Sequence, residues 1–312
     1  MRTRVATVAV VGAGSIGGSW TALALSRGCA VRAADPDPTA ETRLRSAVAD
    51  HLRALGTDTS VLDALTFGTD PAAAAADADL VLEAGPERVE VKRELFAALD
   101  AAAPADVVLA SSSSGLGPSS FQDACAHPER VLVAHPFNPP HLVPLVEVVG
   151  GRHTSPEAVA ATMTVMHAWG REPVHVRAEL PGHVVNRLQA ALWREAYDLV
   201  GRGVVSVADL DRAVASGPGL RWALLGPIAT QALSGGPGGL EHVLEHLGPP
   251  MLDWWADLGT PELTPELATA LVDGVRDELA GREADVLARR DAGLGELVAL
   301  KDRLGLGTGS SS

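Results

Sequence analysis

The 312-residue sequence contains one tyrosine, two cysteines and two lysines, and aromatic side chains make up 4% of it. Each scarcity removes a class of chemistry. Cys29 and Cys125 stand 96 residues apart, with no Cys-x-x-Cys spacing and no histidine cluster beside them, which excludes a disulfide framework and leaves no zinc or other metal site expected. They read as structural thiols in a reducing compartment. The lone Tyr197 has Gly201 four residues on, so the Tyr-x-x-x-Lys pair of short-chain dehydrogenases cannot be built. Lys92 sits among charges in "ERVEVKRELF", which reads as a surface-like helix, and Lys301 lies near the C-terminus, so neither suggests a lysine-based redox site.

Positive charge is also short. With 25 basic against 39 acidic residues the formal charge is -14, and the basic residues are scattered singly, so no nucleic-acid partner is expected. No apolar run approaches the ~20 residues of a membrane span. "MRTRVATVAVVGAG" carries no signal-peptide cleavage site, and the expectation is a cytoplasmic protein with no membrane partner. The tail "GLGTGSSS" reads as a flexible end or a remnant of cloning.

What is present describes an ordinary globular chain, 46% apolar and 21% charged, and long enough for two cores. Up to about His175, short apolar runs ("VATVAVVG", "AVRAAD", "ADLVLEAG", "DVVLASSS", "RVLVAHP", "LVPLVEVVG") alternate with helical segments starting near Ser15, Pro38, Pro86, Pro118 and Ser155. This is the pattern of an α/β, doubly wound, mostly parallel sheet of Rossmann type. After "EPVHVRAELPG" the strand signal ends, and the chain reads as all-α with breaks at "SGPGL", "SGGPGG", "HLGPP" and "LGTPELTPE". The expected domains are therefore 1–178 and 179–312. In the second, Val185, Leu188, Leu192, Ala196 and Leu199 recur at helical spacing as a core stripe or an interface, which suggests a homodimer.

"VAVVGAGSIGGSW" places Gly12, Gly14 and Gly17 in GxGxxG spacing between a strand and a helix. The first glycine permits a tight turn, the second admits a pyrophosphate, and the third lets helix and strand pack closely. Ser15 and Ile16 open the helix, whose free N–H groups and positive dipole end face the phosphates. Asp35 ends the next strand, 21 residues after Gly14, where an acid holds ribose hydroxyls. No arginine directly follows it to take a 2′-phosphate, so NAD is expected over NADP.

The chemistry then falls to histidine. His135 ends a strand broken by "PFNPP", at the sheet edge where ligands bind, and Glu147 follows twelve residues later in "LVPLVEVV". Period-two alternation puts Glu147 on one face with Leu145 and Val149, and Val146 with Val148 on the other. A histidine oriented by an anion is a usable base near neutral pH, able to take a hydroxyl proton as hydride leaves the carbon.

Together "GAGSIG", "ASSSSGLGPS", "HPFNPPHLVPLVEVV" and "PGHVVNRLQAALWREAYDLV" resemble the 3-hydroxyacyl-CoA dehydrogenase family over nearly the whole chain. The resemblance implies His135 as general acid/base and Glu147 as its orienting partner, Ser114 binding the substrate oxygen, Asn186 positioning it, and Glu83 and Lys92 near the cofactor. It is nearest in kind to the subgroup of L-gulonate 3-dehydrogenase, lambda-crystallin, carnitine 3-dehydrogenase and aromatic-polyketide ketoreductases. The helical hairpin whose basic residues meet CoA phosphates in the acyl-CoA enzymes is replaced by "AETRLRSAVADHLRALG", which reads as one helix without lysine. The expected substrate is a small 3-hydroxy or 3-oxo acid, with true 3-hydroxyacyl-CoA oxidation behind it and a non-catalytic dinucleotide-binding protein as the alternative of another class. Arg221 in "GLRWA" is a candidate grip for a substrate carboxylate. His183 stands where the family usually has phenylalanine, adding a polar group near the pocket or snorkelling away from it.

Overall fold

In the computed structural model, which describes residues 1–306, the chain divides into two compact units, Met1–Arg187 and a second beginning at Leu188. All but the first two residues of the "GLGTGSSS" tail lie outside the described residues. The first unit runs β1 (Thr7–Val11), α1 (Ser15–Ser26), β2 (Ala30–Ala34), α2 (Ala40–Ala54), β3 (Leu65–Gly68), α3 (Pro71–Ala75), β4 (Leu80–Glu83), α4 (Val89–Ala102), β5 (Val108–Ser111), β6 (Val131–Pro136), β7 (Leu145–Gly150), α5 (Pro156–Ala168) and β8 (Glu172–Val176). The strands form one sheet in the order β3-β2-β1-β4-β5-β6-β7-β8, parallel except where β7 runs against β6. This is the doubly wound arrangement read from the alternating pattern. The order reverses between β1 and β4, and the C-terminal ends of those strands open the crevice where such sheets take ligands.

The inner strands are buried on both faces, as parallel strands covered by helices must be. Leu132, Ala134, Val146 and Val148 pack into the core on one side of the sheet, and Val131, Val133 and Val149 into the core on the other. Strand alternation therefore turns His135 and Glu147 together toward the second side.

Several expectations change. The first unit runs past the Ala178 boundary, because Glu179 accepts from Ser119 and the Val184 and Val185 N–H groups donate to Glu147, which holds the connecting segment against the sheet. No α-helix starts at Pro118; the chain makes single 3-10 turns over Pro118–Ser120 and Gln122–Ala124. The edge strand β3 and the helix α3, four and five residues long, are too short to show a period in the sequence. Lys92 is not on a surface-like face: with Phe96, Leu99 and Asp100 it lies on the buried stripe of α4.

The second unit is helical, as expected. α6 (Val185–Gly201) starts in the first unit and continues into it, followed by α7 (Val207–Ser216), α8 (Pro218–Leu224), α9 (Pro227–Ser234), α10 (Gly239–Asp257), α11 (Pro265–Leu279) and α12 (Glu283–Arg303). The break expected at "HLGPP" is absent: α10 continues through Pro249 and Pro250 and forgoes the two hydrogen bonds their nitrogens cannot donate. Leu188 and Leu192 do not form an internal core stripe; both are exposed, as are Trp254 and Trp255. Among the described residues no helix is long and apolar enough to cross a membrane.

One buried ion pair ties α4 to the start of β6. Arg130, with no exposed surface, meets Asp100 at 2.7 Å and donates further to the carbonyls of Asp100, Ala103 and Pro104. Removing one member leaves the other charge buried without a counterion. Arg130→Met should cost about 3–5 kcal/mol in denaturant unfolding. A loss within the ~0.5 kcal/mol typical of surface changes would show the pair to be dispensable.

Candidate active site

The glycine turn sits at the reversal point of the sheet. Gly12 has φ +101°, and a Cβ there would lie 2.6 Å from the Ala84 carbonyl oxygen, while one on Gly17 would lie 1.8 Å from the Gly12 oxygen. A Cβ on Gly14 would meet nothing within 4 Å, so the space before α1 is open at the middle glycine. Gly14 caps α1 without a side-chain bond, and no acidic residue occupies the first turn, leaving the N–H groups of Ser15 and Ile16 and the helix dipole facing that space. These residues fit a dinucleotide pyrophosphate.

Asp35 accepts from the Ala13 N–H at 2.8 Å and from the Asp37 N–H at 3.0 Å, coupling the end of β2 to the glycine turn. An arginine does reach this corner: Arg43 of α2 pairs with Asp37 at 2.9 Å. The Thr39 hydroxyl, followed by Arg43, lowers the Asp37 carboxyl to about 2. The arginine absent from the local sequence is thus present, already engaged by an acid. Arg32 pairs with Asp77 instead.

At the far side of the edge, β6 and β7 place His135 directly opposite Glu147. His135 Nδ1 is 2.9 Å from Glu147 Oε2, and both residues are buried. Glu147 Oε1 accepts from the Val184 and Val185 N–H groups at 2.9 and 3.0 Å. Burial pushes the Glu147 carboxyl up, but the hydrogen bonds from His135 and the two amides outweigh it, and its pKa lies below the ordinary value. An ionised Glu147 fixes the proton of a neutral His135 on Nδ1 and leaves Nε2 with its lone pair. The rings of Phe137 and His183 stand 5.4 and 5.3 Å from that of His135.

Ser114 lies in the turn after β5, exposed, and its carbonyl accepts from Asn186 Nδ2 at 3.2 Å. The turn is pinned by a residue the sequence reading missed. Glu87 accepts from the Ser113 hydroxyl at 2.6 Å and from the Gly115 and Leu116 N–H groups at 2.8 and 3.2 Å. Burial raises the Glu87 carboxyl, but these bonds, that of Ser113 first, hold it below its ordinary pKa. The signal was its place in "GPER", between a strand end and a helix start.

Glu83 and Lys92 form an internal strut. The Glu83 carboxylate receives Lys92 Nζ at 2.8 Å, the Ser111 hydroxyl at 2.6 Å and the Gly85 N–H at 2.6 Å, with both charged residues buried. His183 does not snorkel; it is fully buried beside His135. Arg221 stands on α8 in the second unit, exposed, without an ion-pair partner among the described residues. Among those residues, His242, Glu245 and His246 on α10 bring ligand atoms within 4.8 Å of one another, all exposed and none shared with the His135 group.

A doubly wound sheet with a glycine turn at its reversal point is the architecture of a nucleotide-dependent dehydrogenase. Residues 7–179 match the family model "3-hydroxyacyl-CoA dehydrogenase, NAD binding domain", and residues 182–267 match its C-terminal domain. The chain belongs to the 3-hydroxyacyl-CoA dehydrogenase family and is an NAD-dependent enzyme acting on CH–OH groups. It is similar to L-carnitine dehydrogenase of Streptomyces coelicolor, 46% identical with 96% of each chain covered. L-carnitine dehydrogenase of Bacillus cereus is 42% identical, covering 97% of this chain and 94% of the relative. A solved 5-formyl-3-hydroxy-2-methylpyridine 4-carboxylic acid 5-dehydrogenase, an NAD+-dependent dismutase, superposes with a TM-score of 0.80 at 28% identity, over 96% of this chain and 99% of that one.

Because folding depresses the Glu147 pKa, its contribution to stability is present above the unfolded value near 4.5 and is lost as pH falls through the folded value. Glu147→Gln should be less stable than the wild type at pH 7, and its stability should fall less steeply below pH ~4.5. Urea unfolding midpoints measured from pH 7 to 3 check this; parallel curves for the two proteins would contradict it.

Proposed function

We propose that the protein interconverts a small 3-hydroxy acid and the corresponding 3-oxo acid with NAD, without coenzyme A on the substrate, in the cytoplasm and as a homodimer. The observation that carries the chemistry is the His135–Glu147 contact at 2.9 Å, buried at the sheet edge that holds the glycine turn. NAD, when bound, supplies the hydride acceptor. Gly12, Gly14, Ser15, Ile16 and Gly17 hold its pyrophosphate, and Asp35 its adenosine ribose. The carboxylates of Asp35 and Asp37 repel a 2′-phosphate, and Arg43 is committed to Asp37, which favours NAD over NADP.

His135 Nε2 takes the hydroxyl proton as the carbinol carbon is oxidised, and returns it when a ketone is reduced, so the same site also runs as a ketoreductase. Glu147 keeps the ring aligned and stabilises the imidazolium in a site where burial strengthens the attraction. Ser114 and Asn186 steady the substrate oxygen; a well-aimed donor of this kind is worth about 3 kcal/mol of barrier. Asn186 also holds the Ser114 carbonyl, so the two act as one unit.

The similarity to L-carnitine dehydrogenases supports a carnitine-like hydroxy acid as substrate. The single helix α2, without lysine, supports a substrate lacking CoA. Arg221 is the proposed grip for its carboxylate. Dimerisation through the second, substrate-binding domain is supported by the apolar side chains it leaves exposed, among them Leu188, Trp193, Leu233, Trp254 and Trp255, a scale of exposure that marks an interface. Its net charge of -14 supports the absence of nucleic acid among its partners.

A screen of L-carnitine, 3-hydroxybutyrate and 3-hydroxybutyryl-CoA with NAD or NADP tests the reading, with turnover of a free acid on NAD expected. His135→Gln should lower kcat about 10²–10⁴-fold, while NADH binding followed by fluorescence persists. Activity retained within about tenfold would remove His135 from the acid/base role. Arg221→Met should raise KM for the acid with little change in kcat; an unchanged KM would exclude the grip.

A further inference from the structure

His183 combines three unusual features. It is fully buried, it adopts φ +50°, and its Nδ1 has no hydrogen-bond partner among the described residues. A left-handed backbone at a residue other than glycine is uncommon, and strain of this kind persists only where the surroundings impose it. A buried acceptor without a donor is likewise uncommon and unfavourable. Both features fall on the residue whose ring lies 5.3 Å from the His135 ring, tilted by 51°.

The other nitrogen fixes the tautomer. His183 Nε2 is 3.0 Å from the Ser113 carbonyl oxygen, which only accepts, so Nε2 carries the hydrogen and a neutral ring leaves Nδ1 bare. The groups facing this ring are His135 from β6, Glu147 from β7, Glu87 from the segment between β4 and α4, and the Ser113 carbonyl from the turn after β5. Burial chiefly, with His135 adding to it, lowers the His183 pKa against the opposing pull of Ser113, Glu147 and Glu87. The two rings are therefore built for opposite states. His135 is backed by a carboxylate and suited to carry charge; His183 is backed by a carbonyl and suited to stay neutral.

A buried acceptor of this kind can take a donor that forms beside it during function. Resting on the acid/base role assigned to His135, the ring that gains a donor is the one whose centroid lies 5.3 Å from that of His183: the substrate O–H bond breaks and a His135 Nε2–H bond forms. We propose that His183 is a positioning residue whose bare Nδ1 accepts a hydrogen bond from the Nε2–H of protonated His135, favouring the proton-loaded ring. Such contacts are often long in a free enzyme and tighten in the reacting complex. The proton later leaves His135 for solvent, and His183 keeps its own hydrogen throughout.

The test is kcat/KM against pH for oxidation of L-carnitine and 3-hydroxybutyrate with NAD, in wild type, His183→Phe, His183→Asn and His135→Gln. Oxidation requires unprotonated His135, and removing the acceptor disfavours the protonated form. The acid limb of His183→Phe should therefore move to lower pH by about one unit, with kcat reduced about tenfold. Asparagine tolerates a left-handed backbone and presents an oxygen at the position of Nδ1, so His183→Asn should return the limb toward the wild-type position. A wild-type limb and kcat in His183→Phe, with His135→Gln inactive, overturns the proposal and leaves the His135 reading intact. Full activity in His135→Gln overturns that reading itself. Should the phenylalanine variant not fold, ¹⁵N-histidine spectra of the wild type from pH 8 to 5 decide: His183 is expected to stay neutral with its hydrogen on Nε2 while His135 titrates. A His183 ring that protonates together with His135, or that carries its hydrogen on Nδ1, overturns the proposal.

Discussion

The antiparallel pairing of β6 with β7 is the constraint on which the rest of the site depends. It sets His135 against Glu147 across a single rung of an otherwise parallel sheet. A slip of one residue would turn Glu147 to the opposite face and bring Val146 or Val148 into its place, losing the contact altogether. The apolar neighbours oppose that slip, because Val146 and Val148 are buried in one core and Val149 in the other. Core packing on two sides of the sheet thus fixes the register, and the register makes the His135–Glu147 contact. The parallel strands alone could not do this so locally, since each connects to its neighbour through a long crossover.

Around this pair, carboxylates organise the loops at the sheet edge. Glu147 holds the start of α6, Glu87 holds the turn carrying Ser114, Glu83 holds Lys92 with Ser111, and Asp35 holds the glycine turn. In each case an acid collects backbone or side-chain donors that a tight turn would otherwise leave unpaired. The arrangement explains how a chain with 39 acidic residues assembles a site for a negatively charged cofactor: the acids nearest the glycine turn are spent on amides or countered by cations, and the first turn of α1 carries none.

What the sequence made legible follows the same physics. Glycine spacing after an apolar run has few structural solutions, so the turn and α1 could be read directly, and strand alternation correctly separated Glu147 from Val146 and Val148. Lys92 was misread because charge in a helix suggests solvent; only the sheet reveals that Glu83 waits at the end of β4, nine residues earlier in the chain. Glu87 was overlooked for the converse reason, since its partners lie 26 to 29 residues away and nothing local marks them. The helical break at Pro249 failed because two missing donors do not interrupt a 19-residue helix whose other bonds persist. His183 was noticed as a polar residue in an apolar position, but its tautomer depends on a carbonyl 70 residues away.

The two units differ in how their stability is obtained, and this bears on the site. The first carries nearly all the buried apolar residues, whereas among the described residues of the second only Val207 and Val243 are buried hydrophobics. A set of helices that encloses so little apolar surface obtains little stability from its own fold, since packing an amphipathic face, not helix propensity, supplies most of it. The residues gathered around His135 fall in the first unit up to Asn186, while Arg221, the proposed grip on the substrate, belongs to the second. The His135–Glu147 contact therefore lies wholly on the sheet of the first unit, while the second presents an apolar face that calls for a covering surface. In this division, a change that loosens the helical unit should leave the His135–Glu147 geometry undisturbed, because the register holding that pair is fixed by cores lying wholly within the first unit.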